Sequence, residues 1–116
     1  MKTLQSNFTT LEQSKRLLEL GVPADSADCY YDSWGQIQWR QLNDLYHDFF
    51  QKYNYYTPCW SVGRLIEIAK ICSKSRYALR GLFLFLEDCE ADECMSQVMD
   101  YFEICNYQFD FSKLEE

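Results

Sequence analysis

Six cysteines and a single histidine are the residues of this 116-residue chain best suited to metal or nucleophilic chemistry. The cysteines are Cys29, Cys59, Cys72, Cys89, Cys94 and Cys105, and the histidine is His47. A structural zinc site draws its ligands from soft thiolates and imidazoles, usually delivered as C-x-x-C pairs. No such pair occurs here. Free thiols packed as small apolar side chains are the simpler reading, and no metal or other cofactor is expected. Nucleophilic catalysis would need Cys59 or Cys94 beside His47, a pairing made in space and not along the chain. Cys89 and Cys94 lie in Glu87-Asp88-Cys89-Glu90-Ala91-Asp92-Glu93-Cys94, where the neighbouring carboxylates disfavour a thiolate, although a helix N-terminus near Cys94 acts in the opposite sense. That acidic run lacks the alternating oxygen ligands and central glycine of an EF-hand loop. Its simpler role is to place negative charge at the positive end of the following helix. There is no Walker loop, dinucleotide fingerprint, H-E-x-x-H or G-x-S-x-G motif, and no enzymatic activity is expected.

Charge and aromatic content carry more information. The formal charge is -7, from 18 acids against 11 bases, which disfavours a general nucleic-acid binder. The charge is uneven along the chain. Residues 64–80 hold Arg64, Lys70, Lys74, Arg76 and Arg80 against Glu67 alone, either an anion patch or simply a solvated helix face. The last thirty residues are acidic, with Lys113 as their lone base. Aromatic residues make up 17% of the chain and crowd between Trp34 and Trp60, with Trp39, Tyr46, Phe49, Phe50, Tyr53, Tyr55 and Tyr56 between them. So many amphipathic rings cannot all be central in a small domain, so part of the set is expected at a surface or groove.

These residues need elements to position them. Thr9-Thr10-Leu11-Glu12 has the form of a capping box with Thr9 as N-cap, and the spacing predicts a first helix over about 10–20 that stops at Gly21 before Pro23. Residues 23–28 read as a turn or single helical turn, 29–31 as a short strand and 32–35 as a turn. The stripe Leu42, Leu45, Tyr46, Phe49, Phe50, Tyr53 predicts a helix over about 39–52. A brief extended segment over 53–56 follows, because Pro58 disfavours helix at Thr57. Ser61 is the expected N-cap of a helix ending near Ser73, with Trp60 and Leu65 spaced as a hydrophobic staple. Arg76 to Leu86 reads as a strand covered on both faces, with a bulge or break at Gly81. An amphipathic helix is expected from about Ala91 to Ile104, then a closing strand or extended tail through Tyr107, Phe109 and Phe111.

Three segments resemble a family of small proteins from gut Bacteroides-type bacteria and their mobile elements. They are Thr10-Leu11-Glu12-Gln13-Ser14 with Leu17-Leu18-Glu19-Leu20-Gly21-Val22, then Ala27-Asp28-Cys29-Tyr30-Tyr31, then Thr57-Pro58-Cys59-Trp60-Ser61-Val62-Gly63-Arg64-Leu65-Ile66-Glu67. Ala91-Asp92-Glu93-Cys94 looks similar too, whereas the aromatic stretch from Trp34 to Tyr53 departs from the commoner members. The family has no assigned activity, so the resemblance implies an accessory bacterial or phage protein and no mechanism.

The expected fold is a single α+β domain over residues 1–116, with three to four helices packed on a small, largely antiparallel sheet. No apolar run of signal-peptide or membrane-span length is present, and the expected compartment is the cytoplasm. The expected function is that of a non-enzymatic interaction protein acting on an unidentified protein partner, with a dimer left open. Its binding residues are Trp34, Trp39, Tyr55, Tyr56 and Trp60. The alternative is a small-ligand pocket walled by those rings with Arg64 or His47. A less favoured third reading is an acidic mimic of nucleic acid, built on the C-terminal carboxylates.

Overall fold

In the computed structural model, residues 7–40, 49–88 and 93–115 are described. Helix α1 spans Leu11–Glu19. Its capping box lies one residue beyond the expected one: Thr10 Oγ1 accepts from the Gln13 N–H, and Gln13 Oε1 accepts from the Thr10 N–H. Thr9 is drawn inward instead, fully buried, with its hydroxyl against Ser14 Oγ at 2.7 Å and accepting from the Trp60 N–H at 3.0 Å. The helix ends as Gly21 and Pro23 imply. Gly21 takes φ +100°, its N–H reaches Leu18 O and the Val22 N–H reaches Leu17 O, which together form a Schellman motif.

A 3-10 turn at Ala24–Ser26 leads into strand β1, Cys29–Tyr31. Strand β2, Ile37–Trp39, folds back on it through a turn organised by Asp32. The Asp32 carboxylate accepts from the Trp34 and Gln36 N–H groups and from Gln38 Nε2. Trp39 therefore ends a strand opposite Cys29 and does not open a helix. Most of the helix expected over 39–52 falls outside the described residues; its last turn is α2, Phe49–Lys52. Residues 53–55 form a turn, not an extended segment, and strand β3, Thr57–Cys59, follows. The sheet order is β2-β1-β3, antiparallel throughout. Pro58 is tolerated because β3 is an edge strand. Just beyond it the N-terminal segment pairs with the chain through the Phe8–Ser61 bridge and the Thr9 N–H on Trp60 O.

Helix α3, Val62–Cys72, starts at Ser61, whose hydroxyl accepts from the Arg64 N–H while donating to Asp28. Trp60 and Leu65 are both fully buried at the staple positions. Residues 76–88 then overturn the expected strand: they form α4, Arg76–Asp88. Ser75 caps it, its Oγ accepting from the Ala78 N–H. Leu79 and Leu82 are buried and Leu86 half-buried, a helical spacing, while Tyr77 and Leu84 face solvent. Helix α5 spans Cys94–Ile104.

The C-terminal chain packs on the core as two 3-10 turns, Asn106–Gln108 and Phe111–Glu115, and not as a closing strand. The apparent alternation dissolves because Tyr107 is exposed while Phe109 is buried. A single bridge joins Phe109 to Ser73, and the buried Gln108 side chain ties Ser73, the Ser75 N–H and Tyr101 together. The described helices and small antiparallel sheet make an α+β fold with four helices of ordinary length. The main core gathers Leu17, Trp60, Leu65, Ile68, Val98 and Phe102. No described helix is long and apolar enough to cross a membrane.

Candidate functional site

The pleat of the sheet divides the aromatic stretch between two faces. Cys29, Tyr31, Ile37, Trp39 and Cys59 share one face, over Phe8. Trp39 meets the Phe8 ring edge-on at 5.4 Å, yet stays 64% exposed. Tyr30 stands on the other face. Its ring stacks on Tyr56 at 4.6 Å and meets Phe49 at 5.2 Å. Tyr56 in turn packs edge-on against Tyr55 at 4.4 Å, and Tyr53 touches Phe49, Tyr55 and Tyr56.

The result is a continuous tyrosine cluster whose inner rings are half-buried and whose outer ring, Tyr55, is 61% exposed. Its floor is set by Arg40, the residue that follows strand β2. Arg40 is buried, donates to the Asp25 and Ala27 carbonyls at 3.0 and 2.9 Å, and lays its guanidinium 4.7 Å from the Phe49 ring and 5.1 Å from Phe50. Tyr30 and Arg40 are the site residues that sequence reasoning missed. The available signal was the hairpin itself: a strand ending at Trp39 puts Tyr30 and Gln38 opposite each other on the second face.

Of the expected binding residues, Tyr55 and Tyr56 come together in this cluster. Trp39 lies on the opposite sheet face, and Trp34, at the hairpin turn, is 85% exposed. Trp60 is not at a surface. It is completely buried, and its Nε1 donates to Ser26 Oγ at 3.1 Å. Arg64 is only 7% exposed; its Nε donates to Ser26 O at 2.7 Å and its Nη1 to Glu67. Both residues belong to the framework beneath the 3-10 turn, so neither is available to wall a ligand pocket. His47 lies outside the described residues, as do Tyr46 and Cys89.

The described cysteines are free thiols, with Cys29, Cys59 and Cys72 buried and Cys94 and Cys105 half-buried. Burial pushes the Cys59 and Cys72 thiols up to about 11, and raises Cys29 further still. Such thiols are protonated at neutral pH and poor nucleophiles. Among the described residues, no group of three His, Cys, Asp or Glu side chains is placed to hold a metal ion. Of the C-terminal carboxylates, Glu103 pairs with Arg16 of α1 and Asp110 accepts from Ser112.

No family model, no curated protein and no solved structure matches this chain.

Proposed function

We propose that this chain is a non-catalytic accessory protein of the cell interior that binds a protein partner through its tyrosine-walled face. The observation that carries this reading is the unbroken run of ring contacts from Tyr30 through Tyr56 to the exposed Tyr55 and on to Tyr53. Tyrosine suits recognition because it offers a large rigid apolar ring with a hydroxyl that stays wet or finds a partner. Arg40, fixed by two carbonyls beneath Phe49 and Phe50, gives the cluster a stiff floor. A preformed surface loses less ordering entropy when it binds. The protonated, buried Cys59 thiol supports a role other than catalysis.

The test places a photo-crosslinking benzoylphenylalanine at position 55, and separately at the exposed Glu12, in the cells that encode the protein. The expected result is a crosslinked protein at position 55 that is absent at position 12 and lost when Tyr56→Ser is added. With that partner purified, Tyr55→Ser should weaken binding by at least about thirtyfold, the scale of an interface hot spot. Equal crosslinking at both positions, or none at either, overturns the reading.

A further inference from the structure

Five cations between residues 64 and 80 are scattered along the sequence, and the fold sorts them. Arg64 is withdrawn into the framework with Ser26 and Glu67. Lys70, Lys74 and Arg76 instead line one cleft of about 330 Å³ at the junction of α3 and α4. A fourth cation, Lys113, joins them from the C-terminal 3-10 turn. The backbone fixes this meeting. The Lys74 N–H donates to Gln108 O at 2.9 Å, and the Asp110 N–H donates to Cys72 O at 2.8 Å, so the segment carrying Lys113 is held against the end of α3.

The four side chains are exposed, and among the described residues none of them forms an ion pair within 4 Å. Lys70 lies 5.4 Å from the Phe83 ring. Asp110 lies close enough to Lys74 and Lys113 to feel them: its carboxyl is held below the usual carboxylate range first by its bond from Ser112 and then by those two lysines. The described lining holds four cations and no carboxylate, a concentrated positive site on a molecule whose formal charge is -7. Like charges gathered without counter-ions repel, and that repulsion is relieved when an anion enters.

We propose that this cleft binds a small phosphorylated molecule. A phosphomonoester brings close to two negative charges and three acceptor oxygens, which several convergent cations can share. Arg76 offers a planar fork of donors and the lysines offer point charges, while Ile71 and Leu79 give an apolar wall for a carbon skeleton. The cavity is of the size that takes a small ligand. A nucleic-acid strand fits less well. Its charge extends along a backbone that would run from this one cleft onto an acidic molecule.

The experiment is a two-dimensional amide NMR titration of the full chain at constant ionic strength, with inorganic phosphate, glycerol 3-phosphate, sodium chloride and a single-stranded 20-mer oligonucleotide in separate arms. Saturable shifts are expected at residues 73–76 and 113 with both phosphate compounds, and tighter binding of glycerol 3-phosphate identifies the phosphomonoester over the free ion. The double variant Lys74→Gln/Lys113→Gln should weaken glycerol 3-phosphate binding by at least about tenfold while leaving the rest of the spectrum in place. Lys15→Gln, on the exposed side of α1, should leave it unchanged. Absence of saturable shifts, equal shifts with chloride, or equal losses from Lys15→Gln each overturn the proposal. Tighter binding of inorganic phosphate than of glycerol 3-phosphate, or of the oligonucleotide than of either, overturns the assigned ligand class.

Discussion

The indole N–H of Trp60 and the hydroxyl of Ser26 meet at 3.1 Å inside the core, and the same hydroxyl donates onward to the Pro23 carbonyl at 2.6 Å. The largest buried side chain is thereby keyed to the 3-10 turn that introduces the sheet. Ser26→Ala should destabilise the protein by about 1–3 kcal/mol, because it leaves a buried indole donor without an acceptor. Trp60→Ala should cost about 3–5 kcal/mol through lost burial and the cavity left behind. Urea unfolding followed by circular dichroism measures both, and equal midpoints for wild type and Ser26→Ala would contradict the keying role.

Two glycines should respond to alanine with opposite sign. Gly81 lies within α4 and a methyl group there would meet nothing within 4 Å, so Gly81→Ala should raise stability by about 0.5–1 kcal/mol. Gly21 holds φ +100° at the end of α1 with the Phe111 ring 3.7 Å from an added methyl, so Gly21→Ala should lower stability. Thermal denaturation of the pair checks the helical assignment of residues 76–88, since a glycine at a strand bulge would not reward alanine.

That assignment marks the limit of what the sequence reveals. Leu82-Phe83-Leu84-Phe85-Leu86 is apolar at every position, and a continuous run carries no period. The deciding signals flank it: Ser75 in capping position, and Leu79, Leu82 and Leu86 at helical intervals. Elements with punctuation at both ends were legible, as α1 shows between its cap and Gly21, and α3 between Ser61 and Ser73. Within the tyrosine cluster, Tyr55 and Tyr56 were legible as amphipathic rings just ahead of Pro58, where helix is disfavoured. The staple spacing with Leu65 was a local sign that Trp60 is buried, at odds with its place among the binding rings; the burial of Arg64 had no such sign, because its partner Ser26 lies 38 residues away.

The buried thiols predict an alkaline limit to stability. Burial raises Cys59 and Cys72 from 9.0 to about 11 and, with the help of Cys59, lifts the Tyr31 hydroxyl from 10.0 to about 12. In this range the unfolded chain releases protons that the folded chain keeps, so stability is intact below about pH 9 and falls as pH rises towards 11. The urea midpoint should drop between pH 8 and pH 10.5. At pH 7.5 iodoacetamide should modify Cys94 and Cys105 of the native protein well before Cys29, Cys59 and Cys72.

Two arginines that both contact a glutamate should behave differently. Arg64 is buried and its Nε serves the Ser26 carbonyl, so Arg64→Gln should cost about 1–3 kcal/mol. Arg16 meets Glu103 and Glu19 at the surface, where water replaces lost contacts, so Arg16→Gln should leave the urea midpoint nearly unchanged. A larger effect at Arg16 than at Arg64 would reverse the order of the two sites.

The pairing of the N-terminal segment has a consequence for biosynthesis. Thr9 receives the Trp60 N–H across 51 residues, and Arg16 reaches Glu103 across 87. A nine-residue helix such as α1 is marginal by itself in water. While the chain is being made, its apolar residues must therefore wait, first for β3 and then for α5, to leave the ribosome. The earliest of these helices to be synthesised completes its docking only after α5 has emerged, so translation order and docking order run in opposite directions for α1.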